Sequence, residues 1–272
     1  MARLSPTFHA LLKEAQFTGE MLGAGATQIG KAHYASKGTY FQAFTSLSTG
    51  IERIGKLCLM LDFYIDNKGQ FPDKHYLKNI IGHRLDVLYA KSQEVVKTRN
   101  IQFEHLSALT DSVHIAILEV LSDFATGDRY SNIDFLSGAK GTKDPISGWY
   151  RRVDMPLLKN RVSERKKDQI VSNAQAVGEI LEGIATVLHI SETGDEITDI
   201  GDASLRRGIN EAVSPYRRLY VLQIIRYWVE LLVALEWLAQ KQGQQDIPFF
   251  GEALAIFRNS DSYFRSRKTW LD

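Results

Sequence analysis

Seven apolar residues between Phe44 and Ile65 follow one another at intervals of three, four, three, four, three and four: Phe44, Leu47, Ile51, Ile54, Cys58, Leu61 and Ile65. A strand alternates its faces with a period of two and cannot produce that order. An α-helix, at 3.6 residues per turn, places all seven on one stripe. The stripe requires a long amphipathic helix and an apolar surface for it to lie against. Asn67-Lys68-Gly69, followed by Pro72, supplies a left-handed cap and a stop.

The same period recurs along the chain. Ser5-Pro6 reads as an N-cap with proline in the first turn, opening a helix to about Met21 that Gly23-Ala24-Gly25-Ala26 then breaks or thins. Tyr76, Leu77, Ile80, Ile81, Leu85, Leu88 and Val95 predict a helix to about Lys97. Phe103, Leu106, Thr110, Val113, Ile117, Leu121 and Phe124 predict the next, closed by Gly127-Asp128. The glycines and Pro145 between Gly138 and Gly148 mark the best domain boundary. Beyond it, Ile170, Ala174, Val177, Leu181, Ile184 and Leu188 form an amphipathic helix. An acidic connector (Glu192, Asp195, Glu196, Asp199, Asp202) leads to a long helix from about Pro215 to Gln240, apolar on most sides and therefore central. A short helix holds Leu254, Ala255 and Phe257, and no strand, internal repeat or low-complexity tract stands out. The expectation is an all-α protein: a helical bundle over residues 1–138 and a helical region, 139–272, packed on it.

Composition narrows the function classes. With 272 residues, 44% hydrophobic, the chain can bury a substantial core. Its 33 Lys and Arg nearly cancel 32 Asp and Glu, so any nucleic-acid surface must be local. Cys58 is the only cysteine, which rules out a disulfide within the chain and fits a cytoplasmic setting. The first residues lack the apolar stretch of a signal peptide. Tyr220 to Leu238 is hydrophobic enough to suggest a membrane span, but Arg226, Glu230 and Glu236 interrupt it. Each charge near a bilayer centre costs roughly 2.5–3.5 kcal/mol, so no membrane is expected.

Several familiar chemistries fail on inspection. Gly25-Ala26-Thr27-Gln28-Ile29-Gly30-Lys31-Ala32 follows a phosphate-binding loop until Ala32, where a magnesium-binding hydroxyl is needed. His75 and His83 lack a completing carboxylate or cysteine at metal-ligand spacing, and His33, His114 and His189 read as isolated histidines. Cys58 belongs to the apolar stripe. No cofactor or metal is expected.

The segment Arg99-Asn100-Ile101-Gln102-Phe103-Glu104-His105 reads as the opening of a helix. A helix N-terminus presents free N–H groups and positive potential to a phosphate. An Arg there can stabilise a pentacoordinate transition state, and a His one or two turns on can move the proton of an attacking 2′-hydroxyl.

On these residues the chain resembles the HEPN helical domains of prokaryotic defence, toxin and RNA-processing proteins, over about residues 36–135. Phe44 to Leu57, with Glu52 four before Lys56, looks like the family's first core helix. Gly82-His83-Arg84-Leu85-Asp86-Val87-Leu88 is similar to its His-x-Leu-x-x-Leu segment, and Arg99 to His105 to its Arg–His signature. Arg129-Tyr130 echoes a turn after its last helix. The resemblance implies an RNA-binding or metal-independent endoribonuclease bundle of bacterial stress or phage defence, working as a homodimer. Arg99 would hold the scissile phosphate, His105 would serve as acid or base, and Asn100 would orient it. His83 is expected to bond across helices.

A second nucleic-acid footprint is the basic run Arg151, Arg152, Lys159, Arg161, Arg165, Lys166 and Lys167, beside Trp149 and Tyr150. Both groups admit another reading: a solvated basic face, and an Arg–His pair engaged in structure, with Glu104 placed to pair with Arg99. The protein would then be a non-catalytic helical adaptor that binds a partner protein. The discriminator is whether Arg99 and His105 are free and exposed.

Overall fold

The computed structural model describes residues 4–138 and 143–270. Helix α1 (Pro6–Ile29) starts as Ser5-Pro6 predicts, with the Ser5 hydroxyl accepting from Phe8 N. It does not thin out near Met21 but runs through the small residues, whose purpose is close packing. A Cβ on Gly25 would stand 2.5 Å from Leu47 Cγ, and one on Gly50 would stand 2.9 Å from Leu22 Cγ. The missing side chains let α1 and α2 (Lys37–Asp66) approach backbone to side chain. Every member of the Phe44–Ile65 stripe on α2 is buried. Lys68 and Gly69 take left-handed conformations (φ 53° and 83°) and end it as predicted.

The helix expected over 76–97 is two pieces. Helix α3 (Lys74–Tyr76) and a wide turn, Leu77–Ile81, stop at Gly82 (φ 79°), and α4 (Leu85–Thr98) begins again beyond it. The next helix, α5 (Ser112–Thr126), starts at the Asp111 cap rather than near Phe103, so residues 100–111 are a loop. A short α6 (Ser131–Leu136) follows, and part of the proposed boundary, 139–142, lies outside the described residues. Helices α7 (Pro145–Trp149) and α8 (Met155–Arg161) are joined by the wide turn Tyr150–Asp154. Helix α9 (Glu164–Leu181) stops short of Leu188.

The acidic connector carries a small antiparallel hairpin that the sequence did not predict, β1 (His189–Ile190) with β2 (Glu196–Ile197), pairing His189 with Ile197. Helix α10 (Ile200–Lys241) is far longer than expected and keeps Pro215 inside it. Helices α11 (Phe250–Ala253) and α12 (Asp261–Ser266) complete the chain.

One hydrophobic cluster extends from Leu11 to Trp270 and joins both halves. Its axis is α10, which is buried continuously from Arg217 to Val233. Trp228 lies against the bare backbone of Gly55 on α2, and the Cys58 thiol points at the Trp228 carbonyl, 3.6 Å away. Among the described residues no helix is long and apolar enough to cross a membrane. The Tyr220–Leu238 segment lies within the protein, and Arg226 and Glu230 bond to different segments rather than to each other.

Gly25→Ala should cost roughly 1–3 kcal/mol in a urea melt, the usual price of overpacking a tight contact. Gly38→Ala, in the first turn of α2 with nothing within 4 Å of the added methyl, should be neutral or slightly stabilising. Equal midpoints for the two variants would contradict the close α1–α2 crossing.

Candidate functional site

Arg99 follows the last residue of α4 and so stands at a carbonyl end, not at the amide end the sequence suggested. Asn100 takes a left-handed conformation (φ 52°) and Ile101 N closes onto Val96 O at 3.0 Å, a left-handed helix stop. The potential that would draw a phosphate is therefore lacking there. Arg99 Nε meets the Asp62 carboxylate, and Nη2 reaches the Asp62 carbonyl at 2.8 Å and Asp66 Oδ1 at 2.9 Å. The side chain is 14% exposed. Burial alone would lower its pKa, but the hydrogen bond and charge of Asp62 outweigh that and raise it. Burial leaves the Asp62 carboxyl above the usual carboxylate range even so.

His105 is engaged elsewhere. Its Nδ1 lies 2.6 Å from Glu230 Oε1 on α10, and the Glu104 and His105 N–H groups donate to Oε2 at 2.9 and 3.3 Å. Glu104 faces Arg258 at 3.9 Å and does not pair with Arg99. Asn100 Oδ1 accepts from Gln102 Nε2 at 3.3 Å. The three predicted site residues thus hold three separate partners, and a phosphate would have to displace carboxylates to reach Arg99 or His105.

The basic run is divided among the Tyr150–Asp154 turn, α8 and α9. Arg151 and Arg152 line a recess with Asp123, Asp128 and Asp144, and Arg152 pairs with Glu119. Lys167 pairs with Glu164 at 2.7 Å and donates to the Lys159 carbonyl. Lys159 and Arg165 stand exposed. Arg161 and Lys166 open onto the other side.

That side holds a cleft of about 540 Å³ between the 106–111 loop, α8, α10 and α12. Arg161, Arg265, Tyr216, Tyr220, His114 and Gln223 line it. A groove of about 390 Å³ continues from Tyr216 and Arg265 to Lys166. Inside the cleft, Tyr220 donates to Asp111 Oδ2 at 2.7 Å, while Arg161 donates to the Tyr220 hydroxyl at 3.0 Å and to Asp111 at 3.3 Å. Burial pushes the Asp111 carboxyl up, but hydrogen bonds from Tyr220 and Val113 N hold it below its ordinary value. The ring of His114 packs on Tyr220, 4.7 Å between centroids, and is 4% exposed. Burial lowers the pKa of His114. Lys166 and Arg265 have no carboxylate partner among the described residues.

Sequence reasoning set His114 aside as isolated. Asp111, the N-cap three residues before it, was the available signal. His83, expected to bond across helices, lies instead in the turn before α4 and reaches α2 from there, with its Nδ1 2.9 Å from Glu52 Oε1 and 3.0 Å from Lys56 Nζ. Among the described residues no group of three or more His, Cys, Asp or Glu is placed to hold a metal ion.

Because Arg99 neutralises a half-buried carboxylate, Arg99→Ala should lower stability by about 1–3 kcal/mol in chemical denaturation. An unchanged midpoint would mean that Arg99 is free for a ligand. Comparison with protein-family models, curated proteins and solved structures finds no match for this chain.

Proposed function

We propose that the chain is an RNA-binding helical protein that holds single-stranded RNA in the cleft and groove beside α10, without strand cleavage at Arg99 and His105. The observation that carries this reading is the company kept in that cleft. Lys166, a member of the basic run, joins Arg265 beside the half-buried Tyr216, and Arg161, bound to Asp111, stands next to them. Cations that follow a sugar–phosphate backbone, with an aromatic face beside them, are what single-strand binding needs. The HEPN resemblance points to the same class of ligand. The carboxylates bound to Arg99 and His105 weigh against cleavage there.

Fluorescence anisotropy with a labelled single-stranded RNA tests the proposal. Lys166→Ala with Arg265→Ala should weaken binding about tenfold at 0.1 M salt and flatten the salt dependence by roughly two counterions. Loss of binding in Arg99→Ala instead, with the double variant unaffected, would move the site back to the Arg–His segment.

A second reading, a protein-interaction role through self-association, is favoured by one surface. Ile180, Ile184 and Leu188 are 69%, 75% and 77% exposed at and beyond the C-terminal end of α9. Large exposed apolar residues this close in sequence mark association surfaces when they form a contiguous patch. If a homodimer forms there, Ile184→Asp with Leu188→Asp should halve the mass measured by light scattering. A monomer in both wild type and variant would remove this reading.

A further inference from the structure

Beyond the end of α9, the chain from Ile184 to Ile190 reads Ile-Ala-Thr-Val-Leu-His-Ile and carries no Asp, Glu, Lys or Arg. Ile, Val and Thr favour extended backbone, and the last two residues form β1. The register of the hairpin fixes where that strand points its backbone. Ser191 N donates to Asp195 O at 2.8 Å, and His189 pairs with Ile197. Hydrogen-bonded and non-hydrogen-bonded pairs alternate along an antiparallel ladder. Ile190, opposite Glu196, is therefore in a non-hydrogen-bonded pair, and its N–H and C=O point away from β2.

That outer edge is open. Among the described residues no backbone hydrogen bond from elsewhere in the chain reaches residues 186–188 or the outward groups of Ile190. Alternate side chains differ in the same way. Val187 is half-buried and the His189 ring meets Tyr34, 5.5 Å between centroids. Thr186, Leu188 and Ile190 are exposed, Leu188 at 77% and Ile190 at 54%. Exposed edges are normally guarded by a charge, a proline or a bulge. Asp195, Glu196 and Asp199, all exposed, guard β2. Nothing of the kind guards β1.

We propose that the β1 edge pairs with the same edge of a second copy of this chain. The two strands run antiparallel about a two-fold axis at Leu188 and join the hairpins into one four-stranded sheet. In that register the outward groups of residues 186, 188 and 190 meet those of the other copy. Leu188 lies opposite its counterpart and Ile190 opposite Thr186, apolar and β-branched pairs of the kind that stabilise a ladder. The nearest charged residues, Glu182 and Glu192, stand six and four positions from the axis, so like charges do not face each other. A charged foreign strand would find no countercharge on this edge, whereas an identical one matches it in neutrality and register. The exposed parts of Ile184, Leu188 and Ile190 bring roughly 400 Å² of apolar surface from each copy, which with the strand backbone approaches the ~1,000 Å² of a specific interface. The inference rests on the self-association reading and adds how the copies join.

Light scattering on the wild-type chain should give the mass of two copies. Ile190→Pro removes an N–H that β2 does not use, and proline is tolerated on an edge strand, so the hairpin should survive while the mass falls to one copy. Amide exchange on the wild-type protein, read above and below the dimer Kd, needs no variant. The Leu188 and Ile190 amides should slow about tenfold or more on association, and the His189 amide, already held by Ile197, should change less. A dimer that persists in Ile190→Pro, or wild-type dimer amides left unprotected at Leu188 and Ile190, overturns the strand pairing; self-association stands in that case if Ile184→Asp with Leu188→Asp still halves the mass. A single-copy mass for the wild type at every concentration overturns both.

Discussion

Burying a charge is costly unless another group comes to meet it, and four of the five buried charged residues of α10 are met in this way, Arg218 being the exception among the described residues. Arg217 meets Asp154 at 3.0 Å, the Tyr40 hydroxyl at 3.2 Å and the Ala32 carbonyl. Arg226 holds Asp261 and the Asn259 carbonyl, Glu230 holds the backbone and imidazole of residues 104–105, and Glu236 accepts from Gly251 N at 3.2 Å. Each bond ties a different peripheral segment to the axis: the turn after α1, the α7–α8 segment, the 100–111 loop and the C-terminal helices. Removing one partner of a buried pair typically costs about 3–5 kcal/mol, because the other charge is left stranded. Arg217 and Asp154 are the clearest case, since Trp149 Nε1 also donates to Asp154, at 3.1 Å.

The same accounting separates working charges from structural ones. A cation that already faces a carboxylate at hydrogen-bond distance gains little from a phosphate, which must first expel that carboxylate. Arg99, Arg217 and Arg226 belong to this class. Lys166 and Arg265 do not, and they lie on the rim of the same concave surface. With a net charge of only +1, and with Glu211 lining the same groove, any attraction for an anion has to come from uncommitted cations rather than from the surface as a whole.

What could be read from the sequence follows from what periodicity measures. The α2 stripe was legible because one face of one long helix is buried throughout. The break at Gly82 was hidden because Ile80, Ile81 and Leu85 keep helical spacing across it. Phe103 and Leu106 kept that spacing too, yet they belong to a loop; Phe103 turns in to stack on Tyr227, 5.1 Å between centroids. Asn100, a residue tolerant of left-handed backbone, was the overlooked stop signal. Pro215 suggested a helix start because proline favours a first turn, but α10 carries it in its interior. The cleft was less legible still. Its polar chain joins His114, Gln223 and Asp261, residues far apart in sequence, which no local pattern connects.

The Arg99–His105 segment keeps a bearing on binding even with its head groups engaged. Its two ends are fixed to α2 and α10 by Asp62 and Glu230, and Leu109 N donates to the Tyr89 hydroxyl at 2.7 Å. Between and just beyond those ties run Leu106, Ala108, Thr110 and Asp111, which form one wall of the cleft. A loop with this many backbone groups would ordinarily be among the most mobile parts of a helical protein. Clamped by a buried carboxylate that accepts three hydrogen bonds, it can hold Asp111, and through it Tyr220 and Arg161, in one arrangement before any ligand arrives. Such pre-organisation removes an ordering cost that binding would otherwise have to meet. On this account the Arg and His most suggestive of chemistry in the sequence shape the site from behind.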